Sequence, residues 1–191
     1  MSTVLTAQNV FNGAGFDAAH MLRKAERELA RLRTARDFME SYDHMFNFAV
    51  SLAAVCDWTF HVHLKSLPHW TGKKEHHFTN WVRHTNSDAF VFIDISNEYK
   101  HANRKMPSAL AEKMTVNFID LGIEPQMRGV VDMSKGWIQK IGANDWYFCP
   151  SIKFGGKSEN FYGPAERAIA WWKSLAHNTA QPMDVNGNVI P

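Results

Sequence analysis

Cysteine is scarce in this chain: only Cys56 and Cys149 occur among 191 residues. Both lie in apolar surroundings, Ala-Val-Cys-Asp and Tyr-Phe-Cys-Pro, which excludes a disulfide framework and a cysteine metal knuckle. They read as buried thiols of a reducing compartment. Excess charge is also missing, since 21 basic residues face 19 acidic ones for a formal net charge of +2. A balance that close gives no overall electrostatic case for nucleic acid, so any basic effect must be local. No uninterrupted apolar run reaches the length of a membrane span, and the opening Met-Ser-Thr-Val-Leu-Thr-Ala-Gln-Asn lacks the basic and apolar regions of a secretory leader. The expectation is a cytoplasmic protein with no membrane partner.

Several chemistries lack their signatures. There is no His-Glu-x-x-His, no Cys-x-x-Cys and no Gly-x-Ser-x-Gly. Gly155-Gly156-Lys157-Ser158 matches only the end of a phosphate loop and lacks its first glycine. Of the 10 histidines, His61 and His63 are two apart, which on a helix separates them by about 200° and prevents joint chelation. His76-His77 diverge likewise, and His77 and His84 have no carboxylate or cysteine between them at a ligand position. No metal and no cofactor are expected.

What is present is a core. Hydrophobic residues make up 45% of the chain and aromatics 13%, which suits one well-filled domain. Helical periodicity covers residues 16–106. Ala18, Leu22, Ala25, Leu29 and Leu32 form the inward stripe of a first helix, with Arg23, Arg27 and Arg31 on a basic edge that Glu26 and Glu28 partly compensate. That edge reads as a solvated face, with phosphate contact the weaker alternative. A long second helix spans Asp37 to Leu64, its stripe running through Phe38, Tyr42, Met45, Ala49, Leu52, Cys56 and Phe60, with Phe46 and Ala53 widening it. A face so broad predicts a central helix packed antiparallel on the first. Thr71 is the expected cap of a third helix to Thr85, and Asn86-Ser87-Asp88 opens a fourth.

From residue 113 to 154 the period falls to two, with Met114, Val116 and Phe118 alternating against Thr115 and Asn117, and glycines at turn-like intervals. This predicts a small antiparallel β-meander of three or four strands, ended by Gly155-Gly156. A last helix over 164–177 buries Ala165, Ala168, Ile169, Trp172 and Leu175, and 179–191 reads as an irregular tail. The fold class is α+β: an antiparallel bundle of about four helices, the meander, then a C-terminal helix. One domain spans 1–191.

The strongest candidate site is a polar stripe on the fourth helix. Asp94, Asn97 and His101 are spaced i,i+3 and i,i+4, so a helix presents them on one side among Phe90, Val91 and Ile95. An acid, an amide and an imidazole in line can act as a site. They can equally be a satisfied core feature, because burying such groups without partners costs roughly 1–3 kcal/mol each. Trp171 and Trp172 are the candidate interaction residues, since adjacent helical positions point to different faces.

Asp43-His44-Met45-Phe46-Asn47-Phe48-Ala49 with Asp57-Trp58, and Asp94-Ile95-Ser96-Asn97 with Lys100-His101, together resemble HEPN-like helical proteins of bacteria and their mobile elements. The likeness covers about Phe16 to Arg104. It implies a helical bundle and, in catalytic members, a metal-independent ribonuclease in which a histidine moves protons and an arginine stabilises the phosphate. His101 falls at the histidine position, whereas no arginine lies four to six residues before a histidine, and Asp94 stands where a cation belongs. The reading favoured is therefore a non-catalytic protein, an accessory or regulatory factor of bacteria or phage, that binds a protein partner. The alternatives are a ribonuclease using His101 and Asp94, in an arrangement compatible with a homodimer, and a small-ligand or metal-binding domain.

Overall fold

The computed structural model describes residues 17–35, 37–100, 111–120, 139–140 and 146–191. Helix α1 spans Ala18–Leu32, and α2 spans Phe38–Trp58 and continues into a π-helical turn over Thr59–Leu64. A 3₁₀ turn at Pro68–Trp70 precedes α3, Glu75–Thr85, and α4, Ser87–Lys100. Strands β1, Ala111–Asp120, β2, Gln139–Lys140, β3, Trp146–Phe154, and β4, Lys157–Asn160, lead to α5, Tyr162–Ser174, and a 3₁₀ turn at His177–Thr179. The class is the α+β arrangement expected.

Local chemistry sets the helix starts. Asp17 takes the His20 N–H at 2.9 Å and Asp37 takes the Glu40 N–H at 2.8 Å, so both long helices begin at an aspartate cap. Asn86 does the same for Ala89 at 2.8 Å. Thr71 does not cap α3. Gly72 adopts φ +75°, which breaks the helical path, and the first turn closes instead through the Lys74 N–H donated to His77 Nδ1 at 3.1 Å.

The stripe of α1 is buried as its spacing predicts, and Glu28 is buried with it. Helix α2 buries one broad face from Met45 to Cys56, while Phe38 at its start is 36% exposed. Its π turn carries the bond of the Lys65 N–H to the Phe60 carbonyl at 2.9 Å, one residue wider than an α-helical step. Residues 38–64 are, among the described residues, the one helix long and apolar enough to cross a membrane, but 56% of that window is buried in the protein itself. Helix α4 is buried at every position from Ala89 to Ser96, which explains its lack of amphipathic pattern. Phe48 of α2, Phe92 of α4 and Phe161 before α5 meet edge to face with centroids 4.9–5.5 Å apart, joining three elements at the centre of the core.

The sheet is antiparallel with β3 in the middle. Strand β1 lies along one edge of β3, and β2 and β4 share the other. Pro150 sits where that second edge passes from β2 to β4, and its carbonyl accepts the Phe161 N–H at 2.9 Å. A strand residue's N–H and C=O face the same edge, so the donor that proline lacks is one this gap does not need. Gly155-Gly156 does not end the sheet. Both residues have positive φ, 54° and 75°, and they form the two-residue turn of the β3–β4 hairpin. Residues 121–138 of the expected meander lie outside the described residues.

The segment read as an irregular tail is fastened to α3. Ala180 O accepts from Trp70 Nε1 at 3.2 Å, Met183 N donates to His77 O at 3.2 Å, and Met183 bridges Val189. Asp184 holds the intervening turn by taking the Asn186 and Asn188 N–H groups at 2.8 and 2.9 Å. Gly187 turns there at φ +87°, with space for a Cβ only 3.0 Å from the His84 ring. Alanine at Gly156 meets no atom and costs backbone strain alone, about 1–2 kcal/mol. Alanine at Gly187 incurs the same strain and also displaces His84. Denaturant unfolding of both variants should rank Gly187→Ala as the less stable, and the reverse order would show that His84 yields freely.

Candidate functional site

The polar stripe of α4 is divided by its surroundings. Asp94 is 1% exposed, and its Oδ2 accepts the Ala111 N–H at 3.0 Å, tying α4 to the start of β1. Asn97 is half-buried, and His101 lies outside the described residues. Ser96, between them in sequence, is fully buried with its hydroxyl unmatched by any described group. A carboxylate so enclosed and already holding a backbone donor organises the helix–sheet junction and is poorly placed to meet a solvent-borne phosphate. Asp94→Ala should cost about 1–2 kcal/mol, at the lower part of the range because half-buried Ala111 can recover a water bond, whereas Asp94→Asn, which keeps an acceptor oxygen, should cost less than about 1 kcal/mol. Equal losses in thermal unfolding would deny the contact its role.

Arg23, Arg27 and Arg31 are all exposed on α1, as a basic edge requires. Arg31 is not free for phosphate, because its Nη1 donates to Glu28 Oε1 at 2.7 Å. Glu28 is a correction to its reading as surface compensation. Its other oxygen, Oε2, lies 2.9 Å from His44 Nδ1, and the His44 Nε2 faces Glu40 Oε1 at 3.9 Å. One turn away along the same α1–α2 seam, Lys24 Nζ donates to the buried Ser51 hydroxyl at 2.9 Å. An ionised carboxylate only accepts, so the proton of the Glu28–His44 contact belongs to Nδ1. The arrangement fixes an imidazole, yet the Arg31 guanidinium beside it is committed to Glu28, so the seam clamps two helices. The signal was present in sequence: Glu28 falls three after Ala25 and four before Leu32, on the buried stripe.

The tryptophan pair turns mainly inward. Trp172 is 6% exposed and meets Phe78 at 6.3 Å, while half-buried Trp171 packs on Trp81 at 5.8 Å. Trp70 is fully buried, edge to face with Phe60 and Phe78 at 5.8 Å each. Trp137 lies outside the described residues. Trp172 thus lies on the buried face of α5, and Trp171 beside it keeps part of its ring at the surface.

Cys56 is a buried free thiol whose ionisation burial pushes far upward, so it is inert as a nucleophile. Among the described residues no three histidine, cysteine or carboxylate side chains are placed to hold a metal ion.

Apolar surface instead runs along α2. Phe38, Tyr42, Phe46, Val50, Ala54, Trp58 and Val62 follow one another at intervals of four, and every one is half-buried or exposed. Val62 is 48% exposed and, with Trp58, Asp57 and His61, borders a surface hollow of about 410 Å³. Rows at i,i+4 form the ridges that seat in the grooves of a neighbouring helix. No family model matches this sequence, and no curated protein or solved structure matches it either.

Proposed function

We propose that this chain is a non-catalytic, HEPN-like cytoplasmic protein of bacterial or phage origin that acts by binding a protein partner, and that the ridge on α2 is the surface it uses. The ridge carries this reading: Phe38 and Val62 are exposed at its two ends, and the apolar positions between them are only partly buried, with Tyr42, Phe46 and Trp58 packing in part on the core. The polar candidates support it from the other side. Asp94 serves the α4–β1 junction and Arg31 serves Glu28, so neither is free for phosphoryl chemistry. The resemblance of residues 43–49 and 94–101 to HEPN-like proteins supplies the bacterial setting, as analogy.

The experiment is capture of a stoichiometric protein by the tagged chain, repeated with Trp58→Glu combined with Val62→Glu. Val62 is exposed and Trp58 packs in part on the core, so the double variant should melt somewhat lower yet remain folded at the temperature of capture, while losing the partner. A partner retained by the folded double variant would move the interface elsewhere. RNA cleavage by the wild type that His101→Ala abolishes would replace this reading with the ribonuclease.

A further inference from the structure

Two histidines stand apart from the others. His44, His61, His69, His77 and His84 each have a hydrogen-bond partner for a ring nitrogen. His63, on the π turn, and His177, on the 3₁₀ turn after α5, are half-buried and have no such partner among the described residues. Their rings stand together instead, with centroids 4.4 Å apart and planes inclined by 46°. That tilt lies between the stacked and edge-to-face arrangements that aromatic pairs prefer, so ring attraction does not account for the approach.

The separation fits a different chemistry. With metal–nitrogen bonds of about 2.0–2.1 Å and each ring centre about 1.1 Å beyond its nitrogen, two imidazoles at about 90° on one ion have centroids about 4.5 Å apart. A tetrahedral angle widens that distance to about 5.2 Å. The observed 4.4 Å matches a cis pair of ligands on one ion, brought together from two turns distant in sequence.

The surroundings suit a cation. Both imidazoles line a cavity of about 400 Å³ between the first turn of α1, the π turn and the end of α5. That volume has room for the waters that complete a coordination sphere. Asp17 is on the same wall, where its Oδ1 accepts the His20 N–H at 2.9 Å and holds a negative charge beside the cavity. The Lys173 ammonium, also on the wall, is offset by Glu26. No third histidine, cysteine or carboxylate is placed with the pair among the described residues, so the protein supplies two ligands and solvent supplies the rest.

We propose that His63 and His177 form a two-ligand site for a divalent transition-metal ion that favours imidazole, binding copper(II) more tightly than zinc. An ion held there ties the end of the α2 helix to the segment that follows α5. The inference stands apart from the partner-binding reading, since it uses neither Trp58 nor Val62.

The test is titration of the full chain at neutral pH, with zinc followed through the imidazole resonances and copper(II) through the nitrogen couplings of its EPR spectrum. The His63 and His177 signals should move together and saturate with a Kd of about 10 μM, and the copper spectrum should show two coupled nitrogens. Calcium and magnesium take oxygen ligands and should move neither signal up to about 10 mM. His63→Gln and His177→Gln should each weaken zinc at least tenfold. His76→Gln, at an exposed position outside the cavity, should leave it unchanged. The wild-type resonances carry the test even where one glutamine variant fails to fold. The proposal is overturned if zinc up to about 1 mM moves neither signal, if only one of the two responds, or if a folded His63→Gln or His177→Gln variant binds as tightly as the wild type.

Discussion

Trp70→Ala is expected to lower the unfolding free energy by about 3–5 kcal/mol, the range for removing a fully buried large aromatic side chain. Trp70 has no exposed surface, and its ring lies edge to face against Phe60 and Phe78, so the space left behind is bounded by rigid rings that cannot close over it. The substitution also removes the indole N–H from Ala180 O, which His69 Nε2 approaches at 3.1 Å as well. Trp70→Phe therefore separates the two contributions. It restores much of the volume, and the carbonyl keeps its second donor, so the loss should fall to about 1–2 kcal/mol. Chemical denaturation measures both. A loss under about 1.5 kcal/mol for the alanine variant would mean that the aromatic cluster repacks, contrary to the geometry.

Glu28→Ala should be the second most damaging change, at about 3 kcal/mol. It removes two charge-assisted hydrogen bonds, to Arg31 at 2.7 Å and to His44 at 2.9 Å, from a carboxylate that is 5% exposed. Hydrogen bonds to charged groups contribute about 1.5–3 kcal/mol each, but Arg31 is 57% exposed and regains water, which holds the total near the value for one such bond. His44 is 16% exposed and cannot be rehydrated so readily. A double-mutant cycle with His44→Ala isolates the pair, and a coupling of about 1–3 kcal/mol is expected. Coupling near zero would reduce the seam to an energetically silent contact, as many exposed ion pairs are.

Elements whose stability comes from one continuous apolar face were legible in the sequence. The α1 stripe and the α2 stripe from Met45 to Phe60 are buried as their spacing requires, because a period of three and four leaves little choice of orientation. Gly155-Gly156 reads equally as an ending or as a two-residue hairpin turn, and only the pairing of Phe154 with Lys157 distinguishes the two. Asp94 was recognisable as needing a partner, but that the N–H of Ala111 meets it depends on where β1 docks. The juxtaposition of His63 with His177 was invisible for the same reason, since no local pattern links a π turn to a 3₁₀ turn so distant in sequence.

The fastening of Ala180 to Trp70 has a consequence for how the chain is made. The donor and its acceptor are 110 residues apart. At about 5–20 residues per second of synthesis, the indole waits roughly 5–20 s for the segment that covers it. During that interval the Trp70 indole lacks the carbonyl that accepts from it in the finished fold. Completion of this core is thus timed by translation of the last strap across it, so pausing between residues 70 and 180 would lengthen the wait for that contact.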